Sequence, residues 1–140
     1  MEILDLTEEY LEKTEALDRR IFPNSPWGMQ SFRGNIENDF DHPVIAVEDG
    51  EVLGYGVLRQ IDAGEILVIG VRPEDRRKGI GRSLVKAMLG WANLGENVFL
   101  EVRESNTAAR RLYISMGFMQ IARRRNYYKD PVEDAVIMMV

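Results

Sequence analysis

The sequence predicts an α/β fold of the α+β type, with one mixed, mostly antiparallel, twisted sheet of about seven strands and about four helices on its faces. Three observations predict it. Patterns typical of strands and helices follow one another in the order β-α-α-β-β-β-α-β-α-β-β, and no internal repeat is visible. The length of 140 residues is close to the common size of one domain, so we expect a single domain over residues 1–140. Hydrophobic residues make up 45% and charged residues 29% of the chain, as in ordinary globular proteins.

Composition also excludes several classes of protein. The net charge of −5 disfavours a protein that mainly binds the nucleic-acid backbone, and it suits a cationic partner such as an amine or a basic peptide. The chain has no cysteine and one histidine, so we expect no disulfide, no thiol nucleophile and no metal site. The first residues are acidic where a signal peptide is basic, and no stretch approaches the length of a membrane span. We therefore expect a cytoplasmic protein that does not enter the membrane.

The first third of the chain predicts one strand and two helices. Residues 3–6 are typical of a short edge strand, and Thr7 is a candidate cap for the helix that follows. Apolar residues at helical spacing predict that helix: Tyr10, Leu11, Thr14, Leu17 and Ile21. Two prolines and two large aromatic residues then predict a loop over residues 22–27, before a short helix over 28–37.

The middle of the chain predicts three strands. A strand over residues 44–47 and its return over 52–60 are joined by a turn with Asp49 and Gly50, the pair typical of hairpins. The next strand, residues 65–71, is apolar on both faces, so we expect it at the centre of the sheet.

Two further helices and three strands complete the pattern. Helices are predicted over residues 79–93 and 108–116, and strands over 97–102, 118–122 and 136–139. Ser105 or Asn106 is expected to cap the second of these helices, and Gly117 to end it. The polar segment 123–133 is predicted to separate the last two strands.

The most informative motif is a basic turn between the strand that ends at Val71 and the helix that begins near Gly79. The first amides of a helix have no partner within it and can bind an anion, and glycines at 79 and 81 let a phosphate approach the backbone. The geometry suits a pyrophosphate, and cationic side chains surround it: Arg76, Arg77, Lys78 and Arg82. The spacing excludes a Walker loop, and the position in mid-chain excludes a dinucleotide fingerprint. The alternative is a solvated basic helix start.

At these residues the sequence resembles a known family. The segment 71–84, with the pattern R-x-x-G-x-G, resembles the acetyl-CoA motif of GNAT acetyltransferases, and segments 100–109 and 112–118 resemble the second half of the family signature. The segments 124–128 and 133–138 are similar to the end of the RimI-type ribosomal-protein alanine N-acetyltransferases. The resemblance covers residues 65–139 closely. It is looser before them, where three residues separate Phe22-Pro23 from Trp27 although relatives often have Phe-Pro-Trp in direct succession.

The resemblance implies a role for each matching position. The sheet would splay beside Val71 and Glu101 and hold acetyl-CoA in the gap, and the acceptor would be a protein N-terminal α-amine, with a ribosomal-protein alanine as the leading candidate. Glu101 would be the general base and Tyr113 the general acid. Cofactor contacts are implied for Ile69, Gly70, Val71, Arg76, Arg77, Lys78, Gly79, Ile80, Gly81, Arg82 and Asn106. Acceptor contacts are implied for Phe22, Trp27, Tyr127 and Tyr128.

The residues themselves are consistent with this chemistry but leave alternatives open. An acceptor α-amine has a pKa of ~7.7–8.0, so a modest base suffices near neutral pH. Glu101 lies on an apolar strand, where desolvation makes a carboxylate a stronger base, or it forms an ion pair with Arg103 or Arg124. A tyrosine hydroxyl is protonated at neutral pH and can donate to a thiolate, although an aromatic at helical spacing such as Tyr113 is often simply core. Gly70 marks a bulge that frees an amide for the oxyanion, or a plain strand glycine.

Three other functions compete with this prediction. The acceptor could be a small-molecule amine, and the chain could also be a sensor that binds acyl-CoA without catalysis. The basic segment 123–129, in which three arginines and a lysine flank two tyrosines, could stack on and neutralise single-stranded RNA. Turnover with an amine separates the enzyme from the sensor, and strong salt dependence would identify RNA binding.

Overall fold

The computed structural model describes residues 1–93 and 95–140. Its strands are β1 (Glu2–Asp5), β2 (Asp41–Glu48), β3 (Glu51–Gln60), β4 (Gly64–Val71), β5 (Val98–Arg103), β6 (Met119–Tyr128) and β7 (Glu133–Met139). Its α-helices are α1 (Leu11–Ile21), α2 (Met29–Glu37), α3 (Ile80–Trp91) and α4 (Thr107–Ser115), with short 3-10 turns at Glu8–Tyr10 and Pro73–Asp75. The predicted order of elements is confirmed.

The seven strands form one sheet in the order β1-β2-β3-β4-β5-β7-β6. Neighbouring strands are antiparallel except β4 and β5, which are parallel. The predicted mixed, mostly antiparallel sheet is therefore confirmed, and β4 lies fourth of seven, as its two apolar faces require.

Two apolar clusters pack on opposite faces of this sheet. On one face α3 and α4 bury residues such as Leu84, Met88 and Tyr113. On the other face α1 and α2 bury Leu11 and Phe32. None of the helices within the described ranges is long and apolar enough to cross a bilayer.

The sheet splays at its centre, between β4 and β5. The two strands pair only from Gly64 with Val98 to Ile66 with Leu100, so the following residues of β4 have no strand partner on that side among the described residues. Strand β4 also has a bulge, and it lies at Leu67. Val57 pairs with Val68 and Leu58 pairs with Ile66, so Leu67 is the extra residue between them. The hypothesis of a bulge at Gly70 is therefore wrong, because pairing with β3 sets the register and Gly70 lies directly opposite Tyr55.

The predicted hairpin turn and the predicted ends of helix α4 are confirmed. Asp49 and Gly50 have φ values of 51° and 75°, as a type I′ hairpin turn requires. The Asn106 side chain accepts from the Ala109 amide at 3.2 Å and caps α4. Gly117 follows the end of this helix with a φ of 97°, the left-handed conformation of a Schellman motif.

Two local predictions need correction. The Thr7 side chain makes no capping hydrogen bond, because a 3-10 turn precedes α1 and the helix itself begins only at Leu11. The segment predicted to separate the last strands is partly strand, since β6 continues to Tyr128 past an irregularity at Asn126, which has a φ of 52°. β6 is an exposed edge strand, so it lacks the apolar alternation that would have revealed it.

Candidate active site

The start of α3 presents a row of free amides. Gly79 adopts a left-handed φ of 84°, and the helix begins with the next residue, Ile80. The first amide of this region to find a backbone acceptor is that of Ser83, which donates to Gly79 O at 3.0 Å. Among the described residues, no acceptor receives the amides of residues 77–82. A helix start of this kind attracts an anion through its free N–H groups and its dipole.

These amides open onto a groove of about 750 Å³, the helix-start groove, between β4, α3 and α4. Gly81 faces α4, and a Cβ there would lie 3.2 Å from the Leu112 side chain, so a larger residue would press against the opposite wall. Most of the predicted cofactor residues line the groove: Ile69, Gly70, Val71, Arg76, Arg77, Gly79, Ile80, Gly81, Arg82 and Asn106. Lys78 does not line it, because its ammonium group pairs with Asp75 at 3.1 Å.

Two arginines of the groove are already held by protein groups. Arg76 Nε donates to the Val71 carbonyl at 3.1 Å, and Arg82 Nη2 donates to the Ser115 hydroxyl at 2.6 Å. These hydrogen bonds hold the two charges near the free amides, although both side chains are exposed to solvent. Positive charge and free N–H donors thus converge at the start of α3.

A second hollow, the splay cavity, occupies about 340 Å³ between the diverging ends of β4 and β5. Its outer wall is the loop 22–28 between α1 and α2, including Trp27. Four residues line both this cavity and the helix-start groove: Phe22, Ile69, Asn106 and Tyr113. The two spaces therefore meet beside Tyr113.

Glu101 lines the splay cavity on β5, with a side chain only 16% exposed. Its Oε2 atom is buried and has no hydrogen-bond partner among the described residues. Its Oε1 atom lies 3.7 Å from Arg124 Nε, a loose ion pair. Arg103, the other predicted partner, instead pairs with Glu133 at 3.2 Å. One carboxylate oxygen is thus free to accept a proton from a molecule in the cavity.

Tyr113 is only 4% exposed and packs against Phe118 at 5.6 Å between ring centroids. Burial, and next the nearby Tyr128, raise the pKa of Tyr113, so the hydroxyl holds its proton at neutral pH. The core alternative is correct for the ring, yet the same side chain lines both hollows. A buried tyrosine that keeps its proton therefore borders both spaces.

The two tyrosines at the end of β6 differ in position. Tyr128 lines the splay cavity under the Arg103 guanidinium, which lies 4.5 Å from the ring centroid, and burial raises the pKa of Tyr128 to about 12. Tyr127 is 46% exposed and lines neither hollow. A hydrogen bond with the Glu101 carboxylate raises the pKa of Tyr127.

Sequence reasoning missed a buried polar group behind the loop 22–28. Asp18 is fully buried on α1, and its carboxylate binds Tyr55 and the Gly28 amide. The signal was present, because Asp18 stands seven residues after Leu11 and so lies on the apolar stripe of the helix. Charged residues are rarely buried unless they are paired, so one on a buried stripe indicates hydrogen-bond or ionic partners inside the protein.

Comparisons with known proteins agree with this geometry. A protein-family model described as "Acetyltransferase (GNAT) family" matches residues 3–118. The chain is 33% identical over 139 residues to the N-alpha-acetyltransferase RimI of Mycobacterium tuberculosis, covering 95% of this chain and 87% of that one. It is 34% identical over 122 residues to the [ribosomal protein bS18]-alanine N-acetyltransferase of Escherichia coli strain K12, covering 81% and 79%. The crystal structure of the ribosomal-protein-S18-alanine N-acetyltransferase from Escherichia coli superposes with a TM-score of 0.85 at 30% identity, covering 99% of this chain and 92% of that chain.

Proposed function

The chain belongs to the GNAT acetyltransferase family, whose members use acetyl-CoA, and we propose that it acetylates the α-amino group at the N-terminus of a protein. We propose further that residues 1–140 act as one catalytic domain. The observation that supports the proposal is the junction of the two hollows at Tyr113, with Glu101 Oε2 on one side of it, an atom that has no hydrogen-bond partner among the described residues. A donor and an acceptor can enter from opposite sides and meet there.

The helix-start groove fits acetyl-CoA on the structure alone. Free amides and fixed arginines suit a diphosphate, and a groove of about 750 Å³ is of the size that holds a cofactor. Ile69, Gly70 and Val71 form the β4 wall of the groove, and within the described part of the chain no strand pairs with them on the side of β5. We assign the diphosphate to the amides of residues 77–82, and the pantetheine arm to the backbone of β4. When bound, acetyl-CoA supplies the acetyl thioester.

The chain's own residues then handle two protons. Glu101 Oε2 accepts the proton of the acceptor amine as a general base, directly or through a water. Tyr113 donates its hydroxyl proton to the sulfur that leaves, a role open to it because it stays protonated at neutral pH. The absence of cysteine favours direct attack over an acyl-enzyme intermediate.

The splay cavity suits the end of a chain. The cavity of about 340 Å³ is bounded by Trp27 and Tyr128, and an α-amine enters it beside Glu101. An α-amine loses its proton far more readily than a lysine, with a pKa of ~7.7–8.0 against ~10.4, so a single partly buried carboxylate is a sufficient base. Asn106 lines both hollows, and its side chain is anchored as the cap of α4.

The competing functions have less support. Two of the basic residues offered for RNA already lie beside carboxylates, since Arg123 is 2.6 Å from Glu104 and Arg124 is 3.7 Å from Glu101. A sensor would not need an unpartnered carboxylate at the junction. A small-molecule amine remains the second candidate acceptor, because the splay cavity could also enclose one.

We propose a ribosomal-protein alanine as the leading acceptor. Its support is the set of relatives whose names state this activity, including the protein of Escherichia coli that covers 81% of this chain. An enzyme with this acceptor would act in the cytoplasm, where ribosomes are assembled.

The proposal is tested with purified protein, acetyl-CoA and peptides that differ in their first residue. Each peptide carries an internal lysine, and each is also supplied with a blocked N-terminus. Mass spectrometry should find one acetyl group on the free N-terminus, highest for alanine, and none on the blocked peptides. Acetylation of the lysine, or transfer only to free amino acids and polyamines, would overturn the proposed acceptor.

A further inference from the structure

We propose that Asp18 and Tyr55 are positioning residues that form a buried tether between the loop 22–28 and strand β4, and so set where the acceptor lies relative to the donor. The tether consists of the Asp18 carboxylate, the Tyr55 hydroxyl and the Gly28 N–H. It rests on the proposed function, because it assigns the loop as the wall of the acceptor site. It adds two residues that touch neither hollow.

The Asp18 carboxylate is held by two hydrogen bonds from different elements. Oδ1 accepts from the Tyr55 hydroxyl at 2.7 Å, and Oδ2 accepts from the Gly28 amide at 2.9 Å. The side chain is fully buried, and no cation pairs with it in the described part of the chain. An apolar residue of similar size would fill this space without the penalty of burying a charge. The carboxylate is therefore best explained by the two groups that it joins.

The Tyr55 end of the tether is fixed by β4. Tyr55 lies opposite Gly70 in the β3–β4 pairing, and a Cβ at Gly70 would lie 2.8 Å from Tyr55 Cζ and Oη. The ring thus rests on the bare backbone of a residue that lines the helix-start groove. Phe32 packs edge-on against the other side of the ring at 5.4 Å. The position of the Tyr55 hydroxyl therefore depends on β4, the strand that we propose to hold acetyl-CoA.

The Gly28 end of the tether controls the acceptor wall. Gly28 has a φ of 96° and immediately precedes α2, so its amide marks the point where the loop becomes helix. The preceding residue, Trp27, lines the splay cavity, and its Nε1 donates to Asn35 Oδ1 at 2.8 Å. A shift of the Gly28 amide therefore moves the indole wall directly. Misplacement of a reacting group by about 1 Å can lower the rate about 100-fold.

Two near-isosteric variants test the tether, Tyr55→Phe and Asp18→Asn. Tyr55→Phe keeps the ring against Gly70 and removes only the hydroxyl, and it carries the test if Asp18→Asn does not fold. We expect kcat/KM for a peptide acceptor to fall at least about 10-fold in each variant, because a looser wall misplaces the amine. The Kd for CoA should stay within about 2-fold, since the ring and β4 are unchanged.

The matched control is Thr14→Val, on the same helix. Thr14 is also fully buried, and its hydroxyl donates to Tyr10 O at 2.8 Å, which lies in the turn before α1 and not in the loop 22–28. This variant loses one buried hydrogen bond and should keep wild-type acceptor kinetics. An equal fall in kcat/KM in the control, or unchanged kcat/KM in both test variants, would overturn the tether.

A second measurement separates failure of the tether from failure of the proposed function. If wild-type protein acetylates no peptide, the proposed acceptor is wrong, and amide exchange by NMR then decides the tether alone. The Gly28 amide should exchange at least about 10-fold faster in Asp18→Leu than in wild type, because leucine keeps the approximate size of the side chain but has no oxygen to accept the amide hydrogen. Unchanged exchange at Gly28 would overturn the tether whatever the acceptor.

Discussion

Replacing Glu101 by glutamine separates the proposed chemical role of the carboxylate from its structural role. The change keeps the size of the side chain and removes the base. Loss of a general base lowers the rate about 10²–10⁴-fold. We expect the lower end of that range, about 100-fold in kcat/KM or about 2.7 kcal/mol, because roughly a tenth to a fifth of α-amines are already neutral at pH 7.

Although we expect Glu101→Gln to lower activity, we do not expect it to lower the stability of the fold. Oε2 of Glu101 is buried without a partner in the part of the chain described, and the ion pair to Arg124 is long at 3.7 Å. A neutral amide therefore removes an uncompensated buried charge and loses little attraction. We expect the free energy of unfolding to stay equal or to rise by up to about 1 kcal/mol.

The assay is release of free thiol from acetyl-CoA with an alanine peptide, measured from pH 6 to 9 on samples whose Tm is also determined. The deficit of Glu101→Gln should narrow above about pH 8, where the amine deprotonates without help. Glu15→Gln is the control, since the Glu15 side chain is also 16% exposed and lines neither hollow. Equal loss in both variants, or near wild-type activity of Glu101→Gln at pH 7, would refute the proposed base.

Three further predictions concern the acid, the helix start and a buried ion pair. Tyr113→Phe should lower kcat about 10–100-fold in the thiol assay with unchanged calorimetric affinity for CoA, because only a proton donor is lost; weaker CoA binding with unchanged kcat would contradict this. Gly79→Ala should cost about 1–2 kcal/mol in thermal unfolding, since Gly79 has a φ of 84°, and should weaken acetyl-CoA binding; a Tm at or above wild type would contradict this. Burial alone would raise the pKa of Asp41, but hydrogen bonds from Arg59 and Asn35 outweigh it and lower the pKa. The folded protein thus binds a proton at Asp41 less readily than the unfolded chain does. Urea unfolding should therefore show the free energy of unfolding falling as the pH drops below about 4, and falling less steeply in Asp41→Asn. The same dependence of this free energy on pH in both proteins would contradict the prediction.

The sequence was most informative where function depends on local backbone. Gly79 and Gly81 define the start of α3 within a few residues, so it was predictable from the pattern alone. The cap of α4 was narrowed to Ser105 or Asn106, and the structure selects Asn106. Strand β4 could be placed at the centre because its residues are apolar on both faces.

Features that depend on long-range pairing were not predictable in this way. The bulge falls at Leu67 because the partner strand sets the register, and no residue type marks it. The end of β6 was missed because an exposed edge strand need not alternate apolar and polar residues. The tether joins residues 18, 28 and 55, and nothing local in the sequence indicates that these three meet.

The separate roles proposed for the helix-start groove and the splay cavity could be recognised only in the folded structure. Glu101 and Tyr113 were each predicted from the family resemblance. The alternative was a structural ion pair for Glu101 and a purely structural place in the core for Tyr113. The structure adds that Tyr113 borders both hollows and that one oxygen of Glu101 lacks a partner among the described residues. Burial of the tyrosine ring and exposure of its edge to the junction are compatible, so the core alternative does not exclude a catalytic role.

The account depends on the free amides at the start of α3 holding a diphosphate. Calorimetry that compares acetyl-CoA with an acetyl-pantetheine fragment lacking the diphosphate and the nucleotide tests this most directly. Charge-assisted hydrogen bonds contribute about 1.5–3 kcal/mol each, so the fragment should bind at least about 100-fold more weakly. Equal affinity of fragment and coenzyme, in a folded sample, would contradict the account.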